Sequence, residues 1–290
     1  MKRNAFITIY LILFTTIILK GQQKEEWIGP EKGKLIIVGG GNVGAEIWAA
    51  FIEAAGGVNA SVVIIPTAGE DSSINKGRSF EKELLQNLGV KNVTILHTRN
   101  PVVANSDSFL APIKKATGIW FSGGRQWRLA DSYLNTRAHE AFRNVLNKGG
   151  VIAGTSAGAT IQGSFLFRGD TKGNTVLIGD HIQGLDFIHN VAIDQHVLRR
   201  NRQFDLIVLV KQYPQLLGIG IDESTAIVVQ QNTFKVIGNS YVAIYDAQYL
   251  KEGQKNPSGE SGNPGSFYFL GKGQQFDLKA RKIITAPTTQ

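Results

Sequence analysis

The sequence predicts an α/β fold: three layers, a mostly parallel sheet with helices on both faces. Two observations carry this expectation. Short apolar runs of β type alternate with longer amphipathic segments, the pattern of a parallel sheet covered on both sides. Glycine clusters stand at the ends of the apolar runs, where tight strand-to-helix turns are needed.

The elements follow in order. Lys34–Val38 reads as a strand ending in Gly39-Gly40-Gly41, and Ala45–Ala55 as a helix. Ser61–Pro66 is a second strand. Ser79–Leu88 has helical spacing, with Phe80, Leu84, Leu85 and Leu88 on one side. Val93–Leu96 and Gly118–Phe121 are strands, the latter leading into Ser122-Gly123-Gly124. Gln126–Leu134 and His139–Asn147 read as helices, and Val151–Gly154 as a strand that feeds Ser156. Further on, Val191–Ile193 leads into Asp194-Gln195-His196, Arg202–Tyr213 looks helical, and Leu217–Ile221 runs into Asp222-Glu223-Ser224. Ala226–Gln230 and Thr233–Ile237 form a hairpin pattern, followed by a strand at Tyr241–Asp246. Lys251–Gly265 is rich in Gly, Pro, Ser and Lys and reads as an exposed loop. One domain is expected over 22–290, with a core at about 34–246 and a loop-rich extension over 247–290.

The first residues form a separate unit. Lys2 and Arg3 precede an uncharged, largely apolar stretch from Ala5 to Leu19, then Lys20. This is the pattern of a secretory signal peptide over 1–21, and the stretch is short for a membrane span. The expectation is export to a periplasmic or extracellular space, with no stable membrane span after processing. The chain has no cysteine, which excludes disulfides, thiolate catalysis, cysteine-ligated metals and a lipid-anchored cysteine.

The formal charge is +8, and loss of Lys2, Arg3 and Lys20 would leave +5. Lysine and arginine are not clustered with aromatics, so no nucleic-acid partner is expected. The mild positive excess favours acidic substrates by steering.

Chemistry points to Ser156. In Gly154-Thr155-Ser156-Ala157-Gly158-Ala159 the glycines stand two before and two after the serine, the Gly-x-Ser-x-Gly spacing of a nucleophile turn. Such a turn exposes the hydroxyl and aims the next amide, that of Ala157, at a developing oxyanion. A tight strand-to-helix turn, or a phosphate-binding helix start, needs small residues too. The base is sought among five histidines. His196 stands out: it follows a strand end and is flanked by Asp194, Gln195, Arg200 and Arg202. Two carboxylates are candidates to orient it, Glu223 at another strand end and Asp170 in Arg168-Gly169-Asp170. Gly124 can bring a second amide to the oxyanion. Gln126 can hydrogen-bond substrate, and Arg200 and Arg202 can clamp a carboxylate. No His/Asp/Glu set has metal-ligand spacing. Gly39-x-Gly41-x-x-Gly44 matches a dinucleotide loop, but no acid ends the following strand. Neither metal nor cofactor is expected.

Gly123-Gly-Arg-Gln126, Gly154-Thr-Ser-Ala-Gly-Ala159, Asp194-Gln-His196 with Arg200 and Arg202, and Gly220-Ile-Asp-Glu223 together resemble the cyanophycinases. These belong to the serine peptidase family that also contains aspartyl dipeptidase, peptidase E. The resemblance runs in order from Lys34 to Asp246. It implies a fold similar to class I glutamine amidotransferases and hydrolysis of a polyaspartate bearing arginine on each side-chain carboxyl. It also implies Ser156 as nucleophile and His196 as base. Gln126, Asp194, Gln195, Arg200, Arg202 and Glu223 then fall on pocket positions. The partner implied is a peptide or polypeptide rich in aspartyl groups, and a homodimer is compatible with it. Two departures stand out. A third arginine of the family pattern is Asp205 here. The acid between nucleophile and histidine aligns with Asn174, with Asp170 four residues earlier.

Overall fold

The computed structural model describes residues 26–74, 79–249 and 267–285. The expected signal segment 1–21 and the loop at Lys251–Gly265 lie outside the described residues. Strand β1 (Lys34–Val38) buries Leu35 and Ile37 on one face and Ile36 and Val38 on the other, because side chains alternate along a strand and this one is covered on both sides. The chain continues through α1 (Ala45–Ala55), β2 (Ser61–Ile65), α2 (Phe80–Asn87), β3 (Asn92–Ile95), α3 (Pro101–Ala104), α4 (Asp107–Lys115), β4 (Gly118–Phe121), α5 (Gln126–Tyr133), α6 (Arg137–Asn147) and β5 (Val151–Thr155). The five strands pair in parallel in the order β3-β2-β4-β5-β1. This mixed α/β architecture has a mostly parallel central sheet with helices, as the apolar runs predict.

After Ser156 the chain forms α7 (Ala157–Thr160), β6 (Gly163–Phe165), β7 (Ile188–Gln195), α8 (Asp205–Gln212), β8 (Leu217–Ile221), β9 (Thr225–Gln230), β10 (Thr233–Gly238), β11 (Val242–Asp246), β12 (Tyr268–Leu270), β13 (Gln275–Asp277) and β14 (Lys282–Ile284). The expected hairpin is β9–β10. It extends the central sheet antiparallel from β1, and β13 and β14 continue it. Strands β6, β7, β8, β11 and β12 form a second sheet. The structure thus differs from the expectation at three points: it has two sheets, residues 267–285 carry strands of both, and α3, α4 and β6 stand where the sequence pattern predicts no element.

The layering follows from which face of each strand is apolar. On one side of the central sheet, α1 packs Ile47, Trp48, Phe51 and Ala55 against Ile36, Val38, Val62, Ile64 and Trp120. Trp48 stacks on Trp120 at 4.1 Å. The opposite face packs Ile37, Phe121 and Ile152 against α4, α6 and the inner residues Ile193, Ile219, Ile221 and Ile244 of the second sheet. The outer face of that sheet is covered by Leu206, Leu209 and Val210 of α8. Both sheets are thereby tied to one core, and the C-terminal ends of β1, β5, β7 and β8 converge. In open α/β sheets ligands bind at such ends.

Candidate active site

The end of β1 is the point to which the site is fastened. Val38 O accepts the amide of Ser156 at 3.1 Å, Gly39 O that of His196 at 2.8 Å, and Gly40 O that of Ser224 at 2.9 Å. Three segments distant in sequence are thus held on one short run of backbone. Space and conformation both require glycine there. Gly40 has φ +112° and Gly41 φ +69°, in the left-handed region that disfavours a Cβ. A Cβ on Gly40 would stand 2.6 Å from Nε2 of His196, and one on Gly41 2.7 Å from Oε2 of Glu223. The glycine run that matches a dinucleotide loop therefore has a different local use: it makes room for these two side chains.

Ser156 follows β5 directly and precedes α7, with φ +55° and ψ −113°. This is an unusual conformation for a residue with a Cβ. The turn is crowded: a Cβ on Gly154 would lie 2.6 Å from the carbonyl carbon of Gly158, so the small residues the sequence shows are required. The Ser156 hydroxyl lies 3.0 Å from Nε2 of His196, and Nδ1 of His196 lies 2.6 Å from Oε1 of Glu223. A carboxylate facing Nδ1 accepts, so Nδ1 carries the proton and Nε2 is free to accept from the serine hydroxyl. The arrangement can take up the hydroxyl proton on the imidazole while Glu223 steadies the resulting charge.

His196 is 6% exposed and itself has φ +54°. Burial lowers its pKa below the ordinary histidine value; Glu223 opposes this through its hydrogen bond, and the nearby Arg200 and Arg202 add to it by charge. The imidazole is thereby kept neutral, the form a base needs. Asp222 braces the following turn: its Oδ1 accepts the amides of Leu198 and Arg199, and its Oδ2 the hydroxyl of Ser240.

Of the two carboxylates left open by the sequence, Glu223 is the one hydrogen-bonded to His196. Asp170 is a correction: its Oδ1 accepts the amide of Lys172 at 2.7 Å, closing a local turn, as aspartates commonly do. Gly123 stands beside Ser156, where an added Cβ would be 3.4 Å from Ser156 Cβ. Gly124, at φ +141°, hugs the carbonyl of Ala68. The amide of Ala157 opens α7, where helical amides have no intrahelical acceptor.

The expected pocket residues divide. Arg200 is exposed and Arg202 half-buried, donating to the carbonyl (3.2 Å) and side chain (3.3 Å) of Gln195. Asp194, Gln195 and Gln126 are buried, contrary to the expectation that they line a pocket. Asp194 is 1% exposed and chelated by Arg168. Gln126 donates to the carbonyls of Phe167 and Arg168, which leaves its Oε1 buried and unpaired. Sequence reasoning missed Arg168, Gly40 and Gly41 as parts of the site. The glycine triplet after β1 was the available signal for the latter two; for Arg168 there was none.

Fold and catalytic constellation are those of a serine-type peptidase hydrolase. The chain belongs to peptidase family S51, whose family model matches residues 35–237. It is 33% identical over 227 residues to the cyanophycinase of Geminocystis herdmanii, covering 76% of this chain and 82% of that one. It is 31% identical over 267 residues to the cyanophycinase of Trichormus variabilis, covering 88% and 89%. The crystal structure of a peptidase from an acI-B1 Actinobacterium superposes with a TM-score of 0.59 at 24% identity, over 86% of this chain and 98% of that one, a likeness of fold.

Proposed function

We propose that this protein is an exported serine peptidase that hydrolyses cyanophycin or a related aspartyl or isoaspartyl peptide through an acyl-enzyme. The observation that carries the reading is the continuous hydrogen-bonded chain Ser156–His196–Glu223. Ser156 Oγ attacks the scissile carbonyl as its proton passes to Nε2 of His196. The amide N–C bond breaks, the leaving nitrogen takes that proton, and an ester to Ser156 remains. Water, deprotonated by the same imidazole, attacks the ester, and Ser156 is released reprotonated. The amides of Gly124 and Ala157 stabilise the oxyanion. The strained serine between β5 and α7 supports a nucleophile elbow, and the parallel sheet with its strand-end site supports kinship with class I glutamine amidotransferase folds. Export rests on the pattern of residues 1–21.

The identity to cyanophycinases supports the substrate class. Arg200, exposed, and Arg202, half-buried, support recognition of an acidic group. Ser156→Ala is expected to abolish hydrolysis while leaving the melting transition in place. A fluorophosphonate probe is expected to label Ser156 in the wild type alone. Full activity in the alanine variant would overturn the assignment. Assay of a β-aspartyl-arginine polymer beside short aspartyl dipeptides identifies the substrate. Mass analysis of protein from the culture medium tests removal of residues 1–21.

A further inference from the structure

The loop after β2 and helix α5 are built as one unit, and Gly124 sits between them. The carbonyl of Ala68 accepts the amide of Arg125 at 2.8 Å. Gly124 packs against the same carbonyl, with no room for a Cβ. The orientation of the peptide at Gly124 therefore follows the position of Ala68 O. Thr67 and Ala68 are fully buried, and the Thr67 hydroxyl is hydrogen-bonded to that of Tyr133, in the last turn of α5, at 2.6 Å. On the side of the nucleophile, a Cβ on Gly123 would lie 3.9 Å from Ser156 Oγ. The amides of Gly123 and Gly124 donate to no protein acceptor among the described residues.

Arg128, in the first turn of α5, holds this loop in place. Its Nη1 donates to Ala68 O at 3.3 Å and to Gly69 O at 2.8 Å. Its Nη2 donates to both carboxylate oxygens of Glu70 at 2.9 Å. A planar guanidinium fixes these partners relative to one another, which an ammonium cannot do. Arg99 adds a second guanidinium: its Nη2 donates to Gly69 O at 2.5 Å and stands 3.0 Å from Asp71. The side chain of Arg128 is 12% exposed and that of Glu70 67%, so the ion pair itself is an exposed one that contributes little. The buried part of the contact is the hold on the two carbonyls. Nε of Arg128 is buried without a hydrogen-bond partner, an unfavourable term that the fold accepts in exchange for this placement.

We infer that Arg128 is a positioning residue for the oxyanion site: it fixes the carbonyls of Ala68 and Gly69, and through Ala68 O it sets the peptide of Gly124 whose amide faces the developing charge. Arg128 reaches no reacting atom itself. Its effect passes through one carbonyl and one glycine, so it falls on the transition state, where charge has developed on the oxygen, and hardly on substrate binding. The chain Ser156–His196–Glu223 is anchored separately, on β1, and is left intact when the loop shifts. The inference rests on the hydrolase reading and on Gly124 as an oxyanion donor.

The test compares the wild type with Arg128→Met, Arg128→Lys and Glu70→Gln in the full chain. It reads kcat and KM on cyanophycin, the acidic limb of the pH profile, and the rate and extent of fluorophosphonate labelling at Ser156. The phosphoryl oxygen of that probe needs the same amides as the oxyanion. Arg128→Met is expected to lower kcat and the labelling rate together by about tenfold or more, short of the 10²–10³ lost when a donor is removed outright. Its KM should stay within about threefold, its labelling should still reach completion, and its acidic limb should not move. Arg128→Lys keeps one donor and the charge, and is expected to lose about threefold in the same two rates; it carries the test should the methionine variant not fold. Glu70→Gln leaves the hold on the carbonyls and should stay within about twofold. Wild-type rates in both Arg128 variants, a loss expressed in KM or in the limb, or equal losses in Glu70→Gln and Arg128→Met would overturn the inference. A wild type that labels but leaves cyanophycin uncut overturns the substrate, and the labelling rates still decide the role of Arg128. A wild type that does not label overturns the hydrolase reading and the inference with it.

Discussion

Gly40 lies against the imidazole of His196 so closely that a Cβ would come within 2.6 Å of Nε2. The base is therefore held from two sides, by Glu223 through a hydrogen bond and by bare backbone through contact. Neither Gly40 nor the ring can move far, because Gly39 O also accepts the His196 amide.

Gly40→Ala is accordingly expected to displace the ring and lower kcat by about a hundredfold, the usual cost of a displacement near 1 Å. KM should change much less. Gly44→Ala is the control: no atom lies within 4 Å of a Cβ there and its φ is −69°. Steady-state kinetics on both variants check this, and equal kinetics in the two would refute it.

Glu223→Gln keeps the shape of the third residue but removes the charge that fixes the tautomer of His196. A loss of about 10²–10⁴ in kcat is expected. Asp170→Asn should stay within a few-fold of wild type, since its oxygen only closes a turn onto Lys172. A larger loss at Asp170 than at Glu223 would reverse the assignment of the acid.

How much of this was legible in advance differs by residue. The strands β1 to β5 and the turn at Ser156 could be read because their signals are local: apolar runs, and glycines spaced around one serine. Strands β7, β8 and β11 look the same in sequence but form a second sheet, because nothing local tells which partner a strand will choose. β12, β13 and β14, three residues each, are too short to show a period. The pocket position of Asp194 comes from the family resemblance; its sequence neighbours, Gln195 and His196, say nothing of where its side chain goes. Its guanidinium partner comes from Arg168, in another strand's loop, and ion pairing across the fold leaves no spacing to read. The left-handed Gly40 and Gly41 were visible as glycines, yet their reason, the side chains of His196 and Glu223, is equally remote.

The pH dependence follows from the environment of His196. Its pKa is lowered, by burial first and then by Arg200 and Arg202, with Glu223 opposing. The base works when neutral, so activity is lost as pH falls through this lowered value. The acidic limb of kcat/KM should therefore lie below the ordinary histidine value of about 6.5. Arg200→Gln removes a positive charge, which makes protonation easier and moves the limb to higher pH. A limb that stays in place, whatever the change in absolute rate, would show that Arg200 does not act on the ring.

Ser156 combines a Cβ with φ +55° and ψ −113°, a conformation that costs about 1–3 kcal/mol. Ser156→Ala and Ser156→Gly both lose the hydroxyl and its hydrogen bond to His196, so both should be inactive, and that shared loss cancels between them. They differ in the Cβ. Alanine keeps the strain and glycine releases it, while glycine's greater freedom in the unfolded chain counts against it by about 0.4–1 kcal/mol. Release outweighs this, so the glycine variant is expected to be the more stable of the two by about 1 kcal/mol. That is the reverse of the order found at ordinary positions. Urea unfolding of both proteins gives the comparison directly. An alanine variant more stable than the glycine one by about 0.4–1 kcal/mol would mean that the turn between β5 and α7 holds its serine without strain.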